Sequence, residues 1–312
     1  MYMQAALALA LVTLSEASIG IFVKLVGDQI PIMSLHFYRV FFASIFLLVA
    51  VAMTNHGALR FPEKNLRDIA IIGALIAAQI SLFNTAMSLA PVANVVIFWS
   101  IAPFFVFIFS SIFLGERPRR FYIFVFLLAF VGIAIAEPVR FDMALWSGEQ
   151  LGNILALATG VVYAGVVTYL RKEGTTETNV DIFWFMLAAS VYLAPLVAIF
   201  GAGSLFATST TSLFGVTIPV VLWAAGLGFL STGLAYFGIS FVLSRINANV
   251  YSLIDIIVSP LIATLLAFMV FSEVPSTATV VGGVILLFAG ALLTLLRNRR
   301  FSAPEPEKRV VR

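Results

Sequence analysis

The sequence predicts an all-α integral membrane protein whose ten transmembrane helices form two inverted five-helix repeats. Hydrophobic residues make up 62% of the 312 residues and charged residues 11%, whereas a soluble domain is about half apolar and about a quarter charged. Apolar runs of about 20 residues, each long enough to cross a hydrocarbon core of about 30 Å, recur along the whole chain. A pattern of prolines and a glutamate in the first half also returns in the second.

Ten apolar segments are the predicted spans. The N-terminal segment has no basic residues ahead of its apolar core, and its apolar pattern continues past Glu16, so it is a first span rather than a cleaved signal peptide. Residues 298–312 are charged and contain two prolines, which predicts a mobile cytoplasmic tail. The predicted spans cover residues 4–26, 32–54, 68–90, 92–114, 121–138, 150–171, 180–201, 215–243, 247–271 and 276–297.

Basic residues lie mainly on one side of the predicted spans. Because cytoplasmic loops of membrane proteins are enriched in lysine and arginine, this side is the cytoplasm and holds both termini. The net charge of +3 therefore indicates topology rather than a nucleic-acid partner. The other side carries Lys24 and Arg140. The basic side carries Arg60, Lys64, Arg67, Arg117, Arg119, Arg120, Arg171, Lys172, Arg245, Arg297 and the tail.

A repeated pattern divides the chain into halves. The repeated residues are Pro103, Glu116 and Pro118 in the first half and Pro260, Glu273 and Pro275 in the second, with identical internal spacing. Each half holds five predicted helices, and because five is odd, the second half must enter the membrane in the opposite orientation. Residues 1–142 and 143–297 are therefore the two predicted repeats. Inverted repeats form two related gates around a central site in many secondary transporters.

The repeated segments resemble a known family. FLGERP at 113–118 and FSEVP at 271–275 each follow a mid-helix proline and precede a glycine-containing apolar span. These motifs resemble the EamA-type family of the drug/metabolite transporter superfamily, and the resemblance covers nearly the whole chain. The chain departs from the family pattern at two positions: Ser272 replaces a usual glycine, and Glu16 lies where tryptophan and glycine are more frequent. The resemblance implies a pathway lined by the first four helices of each half, peripheral fifth and tenth helices, and alternating access. For many bacterial members it implies export of amino acids or related metabolites across the bacterial inner membrane, where we therefore expect this chain.

Four ionisable residues, Glu16, His36, Arg39 and Asp255, fall at depth within the predicted spans, away from their ends. A charge near the bilayer centre costs at least about 2.5 kcal/mol, so such residues are candidates for substrate binding or proton coupling. Glu16 and Arg39 admit two interpretations. They form a structural ion pair, or Arg39 binds a substrate carboxylate while Glu16 meets an amine or a proton.

The charge count at this depth also favours proton binding. Glu16, Arg39 and Asp255 together leave one carboxylate without a counter-ion, and Glu16 or Asp255 would bind and release a proton. In the repeat Asp255 corresponds to Ser100, so the common scaffold does not require a carboxylate there. The alternative for Asp255 is a buried acid hydrogen-bonded to neighbours. His36 is a proton relay or a packing histidine bonded to a carbonyl.

The repeated prolines and several polar side chains complete the candidate site. Pro103 and Pro260 each remove a backbone donor within a span, and the kinks act as gates or merely improve packing. Glu116 and Glu273 lie at helix ends, where we expect them to close the loop to the next helix. The candidate cavity residues are Gln79, Asn84, Trp99, Ser100, Tyr163, Tyr236 and Tyr251.

These features favour a secondary active transporter over other membrane proteins. With no cysteine and two histidines, the chain offers no metal site or catalytic constellation, and we expect no cofactor. No Walker loop or selectivity filter is visible, which argues against ATP as energy source and against a channel. The sequence predicts a proton-coupled exporter of a small zwitterionic metabolite, an amino acid or a derived compound. The alternatives are an exporter of hydrophobic drugs and a carrier of a nucleotide-like metabolite. Lipids surround the protein, and glycines near Gly283 suit a homodimer or internal packing.

Overall fold

The computed structural model describes residues 2–54, 66–115, 120–136, 147–172, 179–201, 209–246 and 248–301. Within these ranges the chain forms ten helical spans, numbered here in chain order. Eight are long and apolar enough to cross a membrane, and spans 5 and 10 carry the shorter apolar stretches Ile123–Ala136 and Thr277–Leu293. The prediction of a ten-helix membrane protein is confirmed. The spans are Tyr2–Ala17 with Ile19–Val26 (span 1), Ile32–Thr54 (span 2), Leu66–Leu89 (span 3), Val92–Trp99 with Ala102–Phe113 (span 4), Arg120–Ala136 (span 5), Gly148–Lys172 (span 6), Asn179–Phe200 (span 7), Val220–Gly228 with Phe229–Gly233 and Leu234–Leu243 (span 8), Ala248–Phe271 (span 9) and Thr277–Phe301 (span 10).

Span 8 begins later than the predicted residue 215. The preceding residues form an antiparallel hairpin of strands β1 (Thr210–Leu213) and β2 (Val216–Pro219). Its two turn residues, Phe214 and Gly215, both have positive φ, of 49° and 80°, as the favoured two-residue hairpin turns require. The apolar residues at 216–219 thus belong to a strand, because the turn directs them back along β1. The hairpin is the one exception to an all-α fold in the described ranges.

Three spans are interrupted along their length. Span 1 is interrupted at Ser18 and span 4 at Ser100 and Ile101, while span 8 contains a wider π-helical turn, Phe229–Gly233. Such interruptions are frequent at functional sites in membrane helices.

The two repeated prolines lie in different local structures. Pro103 lies in the first turn of the second segment of span 4, where its missing N–H costs nothing. Pro260 lies inside the continuous helix of span 9. The two prolines therefore differ in local structure, and a gating role for either stays a prediction.

The main pattern of contacts between spans stays the same when each span is replaced by its counterpart in the other half. Spans 2, 4 and 5 pack against spans 7, 9 and 10, their own counterparts. Span 3 packs on span 6 as span 8 packs on span 1, and span 4 packs on span 6 as span 9 packs on span 1. Span 3 also contacts span 7 as span 8 contacts span 2. Two related halves are expected to pack in this way. Their opposite orientation in the membrane stays a prediction.

Small residues allow the spans to approach closely. A Cβ on Gly132 would meet the carbonyl oxygen of Gly282 at 2.8 Å, so spans 5 and 10 touch through their backbones at this point. Gly283 packs on Ile97, and Gly290 lies against Ile256. These glycines therefore serve contacts within the chain, and the predicted homodimer has no separate support from them.

Candidate functional site

Glu16 and Asp255 meet in the interior of the protein; we call them the carboxyl pair. Glu16 precedes the interruption of span 1, and Asp255 lies in span 9, which packs against span 1. Their carboxyl groups lie within interaction distance of each other, and both side chains are half-buried. The Tyr251 hydroxyl donates to Oε1 of Glu16 at 3.2 Å. Because two carboxylates in contact repel, a hydrogen bond between them requires a proton on one. One proton shared between the two acids would remove this repulsion.

Arg39 lies in span 2, 6% exposed, and is held by neutral groups. Its Nε donates to Oγ1 of Thr232 at 3.0 Å and its Nη1 to Oδ1 of Asn84 at 2.6 Å. Its Cζ lies 5.8 Å from the ring centre of Phe83. No carboxylate of the described residues lies within ion-pair distance of Arg39. The structural ion pair with Glu16, one of the two predicted interpretations, is therefore not formed.

Aromatic rings connect Arg39 to the carboxyl pair. The Phe83 and Trp99 ring centres are 6.2 Å apart, and those of Trp99 and Tyr163 are 5.8 Å apart. Tyr163 in turn lies close enough to Tyr251 for an electrostatic interaction. Two of the predicted cavity residues, Trp99 and Tyr163, thus form one aromatic row with Phe83, and Tyr251 lies near the end of this row. Phe83 was not predicted because it is one of 30 phenylalanines, and only its place between Arg39 and Trp99 distinguishes it.

The remaining cavity candidates occupy varied positions. Asn84 is fully buried and holds Arg39, while Tyr236 is half-buried and interacts electrostatically with Arg39. Gln79 is half-buried in span 3. Ser100 is buried at the interruption of span 4, and its hydroxyl donates to the Val96 carbonyl at 2.7 Å. Its donor is therefore used inside its own span.

His36 is buried, one helical turn from Arg39. Its Nε2 is 3.4 Å from Oγ1 of Thr85, and its Nδ1 has no hydrogen-bond partner among the described residues. The predicted partner of a packing histidine was a backbone carbonyl; the observed neighbour is a hydroxyl at the long end of hydrogen bonding. The described contacts do not connect His36 to the carboxyl pair, so a relay role stays a prediction.

Glu273 joins three spans at the end of the bundle that is predicted to be periplasmic. Its carboxylate pairs with Lys24 at the end of span 1, and its Oε2 accepts the backbone N–H of Val92 at 3.0 Å. The expectation that Glu273 closes the loop to the next helix is corrected, because its partners belong to spans 1 and 4. Its repeat counterpart, Glu116, lies outside the described residues.

We expect the Lys24–Glu273 pair to stabilise the protein modestly. Both side chains are 20% exposed, and such partly exposed pairs contribute about 0.2–1 kcal/mol. In a double-mutant cycle of Lys24→Met and Glu273→Gln, thermal unfolding in detergent should show a coupling free energy in this range. The introduced glutamine keeps an oxygen for the Val92 N–H, so the cycle isolates the ion pair. Lys172→Met, at an exposed helix end, should be additive with Glu273→Gln. Additivity of Lys24→Met instead would show that the pair contributes nothing.

Comparisons with known proteins agree with this architecture. Residues 3–136 match the EamA-like transporter family. A "Probable terminal-alkyne amino-acid exporter" of Streptantibioticus cattleyicolor is 29% identical, with 96% of each chain covered. A pseudopaline exporter of Pseudomonas aeruginosa is 23% identical over 86% of this chain and 87% of its own. An S-adenosylmethionine uptake transporter of Rickettsia bellii is 23% identical over 92% of each.

A solved structure supports the fold. A crystal structure of a protein with 20% sequence identity superposes with a TM-score of 0.61, covering 96% of this chain and 99% of that one. This match covers far more of the chain than residues 3–136, which the family match covers. Helical spans, the family match and full-length relatives named as transporters agree. The chain is a multi-pass membrane protein whose residues 3–136 match the EamA-like transporter family and which along most of its length is similar to proteins named as transporters.

Proposed function

We propose that this protein is a proton-coupled exporter of a small zwitterionic metabolite, an amino acid or an amino-acid-derived compound. One observation carries the proposal: the carboxyl pair and the buried Arg39, which has no acidic partner among the described residues, are connected by one aromatic row. A zwitterion presents an ammonium group to the carboxyl pair and a carboxylate to Arg39. Each charged site of the protein then gains the opposite charge that it lacks.

The charges disfavour the two alternative substrates. A hydrophobic drug without charges would desolvate the carboxyl pair and Arg39 and compensate neither. A nucleotide-like metabolite would bring several negative charges to a region where Arg39 is the buried cation among the described residues. The aromatic row gives a zwitterion with an apolar side chain a surface to pack against.

The carboxyl pair supplies a means of coupling. In the empty site the pair holds one proton between Glu16 and Asp255. An arriving ammonium group brings its own positive charge, so the proton is no longer needed and leaves. Protons entering from outside would displace the ammonium group and release the substrate there. A proton crossing with the membrane potential contributes about 2.3 kcal/mol per 100 mV, which corresponds to about a fortyfold gradient.

Direction and location are part of the proposal. The exporter names of the relatives from Streptantibioticus cattleyicolor and Pseudomonas aeruginosa support export, whereas the relative from Rickettsia bellii is named for uptake. We place the chain in the bacterial inner membrane with both termini in the cytoplasm. Alternating access between two gates is the mechanism that the predicted repeat favours.

Transport by purified protein in proteoliposomes tests the proposal. With an imposed pH gradient, we expect accumulation of radiolabelled amino acids from a panel that includes leucine, phenylalanine and threonine. Amides of the same amino acids, their N-acetyl derivatives, ethidium and AMP should accumulate at least about tenfold less, because each lacks one of the two charges or adds others. Transport that ignores the pH gradient, or that favours ethidium or AMP, would contradict the proposal.

A further inference from the structure

The π-helical turn of span 8 is built around one threonine. Thr232 is 1% exposed; its Oγ1 donates to the carbonyl oxygen of Leu227, five residues earlier, at 2.9 Å. The hydroxyl proton of Thr232 is therefore used in a hydrogen bond to the backbone. The same hydroxyl oxygen accepts the Nε–H of Arg39 at 3.0 Å. The turn thus provides an acceptor with a fixed orientation. Spans 8 and 2 also lie unusually close here, since a Cβ on Gly228 would be 2.9 Å from the carbonyl oxygen of Arg39.

The groups that hold Arg39 orient it without cancelling its charge. Its partners are a hydroxyl oxygen of Thr232 and an amide oxygen of Asn84, both uncharged. A carboxylate in either position would hold the guanidinium more strongly. It would also neutralise the charge and compete with any anion. Neutral acceptors leave a full positive charge in a buried place.

Two hydrogen-bond donors remain unused at this point. The second terminal nitrogen of Arg39, Nη2, makes no hydrogen bond to the described residues. Nδ2 of Asn84 is buried and likewise without a partner among them. Because Nη1 of Arg39 is bonded to Oδ1 of Asn84, the two unused donors belong to neighbouring groups. A buried donor without a partner costs about 1–3 kcal/mol, so Nδ2 of Asn84 favours an incoming acceptor, and the charge on the neighbouring Nη2 of Arg39 favours an anionic one.

We propose that Arg39 and Asn84 form a carboxylate subsite and that Thr232 in the π-helical turn is its positioning residue. The substrate carboxylate accepts hydrogen bonds from Nη2 of Arg39 and Nδ2 of Asn84. Thr232 and the Asn84 amide oxygen keep the guanidinium turned so that Nη2 is free. The inference rests on the proposed function for the identity of the ligand, and it adds Asn84, Thr232 and the π-helical turn to the residues that determine specificity.

Chemical modification of Arg39 tests the subsite without requiring transport. Purified full-length protein in lipid nanodiscs is treated with phenylglyoxal, and modification of Arg39 is quantified by mass spectrometry with sodium acetate or acetamide present. In the wild type, acetate should slow modification at least about threefold, and the uncharged acetamide should not, because a charge-assisted hydrogen bond contributes more than a neutral one. Absence of acetate protection in the wild type would overturn the proposal.

Variants separate recognition from packing. Asn84→Asp keeps the acceptor for Nη1 but places a carboxylate beside Arg39, so acetate protection should disappear although Arg39 is held more firmly. Thr232→Val should reduce protection below about twofold, and Thr232→Ser should restore it, since the hydroxyl supplies a hydrogen bond of about 1 kcal/mol. Thr159→Val is the matched control, because Thr159 is fully buried and donates to the Leu155 carbonyl in span 6; it should behave as wild type.

The outcomes distinguish this inference from the proposed function. Undiminished protection in Asn84→Asp and Thr232→Val would overturn the inference, whatever the protein transports. Asn84→Asp preserves side-chain size and decides the matter alone if Thr232→Val does not fold. Protection with the expected variant pattern, in a protein that exports no zwitterion in proteoliposomes, would overturn the proposed function and leave an anion subsite at Arg39.

Discussion

Replacing Asp255 by asparagine is expected to abolish proton-driven accumulation while leaving substrate exchange in place. The introduced amide can donate to Glu16, so the remaining carboxylate stays ionised and meets an ammonium group without a proton to displace. The single variant Glu16→Gln should have the same effect, because the carboxyl pair acts as a unit. At a membrane potential of 100 mV, accumulation should fall from about fortyfold to about onefold.

The dependence of binding on pH provides a second measurement of this effect. In the wild type, a proton and the ammonium group compete for the carboxyl pair, so substrate affinity rises as pH rises. In Asp255→Asn the competition is absent, and affinity should be nearly constant between about pH 5 and 8, where amino-acid substrates keep both charges. Quenching of tryptophan fluorescence, to which Trp99 in the aromatic row contributes, reports binding at each pH.

A matched control distinguishes coupling from the loss of a buried acid. Asp68 in span 3 accepts a hydrogen bond from the Tyr169 hydroxyl at 2.6 Å, much as Glu16 accepts one from Tyr251. Asp68→Asn removes a tyrosine-bonded carboxylate outside the carboxyl pair. It should leave accumulation and its pH dependence unchanged. Proton-driven accumulation by Asp255→Asn at the wild-type level would exclude the carboxyl pair as the coupling site.

Much of the fold follows from the sequence because lipid restricts the choices. Backbone groups in a bilayer must be paired internally, so long apolar runs become helices and their ends follow hydropathy. The start of span 8 was wrong because an apolar segment beside a membrane end can equally form a hairpin. The turn conformation of Phe214 and Gly215 decides between them, and a hydropathy pattern does not contain that information.

The candidate site was predicted as separate residues and not as an arrangement. Glu16, Arg39 and Asp255 were identified because charges at depth are costly. Their partners depend on which helices touch and on how each is rotated, and composition specifies neither. Span 1 packs against span 9, and this contact joins Glu16 to Asp255. Thr232 could not be predicted from the sequence, because its role depends on a π-helical turn and no residue in its segment indicates such a turn.

Replacing Arg39 by glutamine should raise the KM for amino acids by about 10- to 150-fold, because a hydrogen bond to a charged group contributes about 1.5–3 kcal/mol. The KM for the corresponding amides, which bring no carboxylate, should change little. Arg39→Lys should fall between, since one ammonium cannot hold Thr232, Asn84 and a carboxylate in the fork geometry of a guanidinium. Competition by each amino acid and its amide against a labelled substrate in proteoliposomes measures both constants.

The contrast between acid and amide identifies what Arg39 does. If Arg39 only held spans 2, 3 and 8 together, its loss would weaken transport of both compounds equally, because both need the same fold. If Arg39 binds the substrate carboxylate, its replacement should raise the KM of the amino acid and leave that of the amide nearly unchanged. Arg245→Gln, at an exposed arginine 3.5 Å above the Phe241 ring, removes a charge just beyond the end of span 8 and should affect neither compound. If the Arg39→Gln protein still preferred the acid over the amide by the wild-type ratio, the substrate carboxylate would bind elsewhere. Arg39 would then be a structural cation, and its neutral partners would serve only to stabilise it in the protein interior.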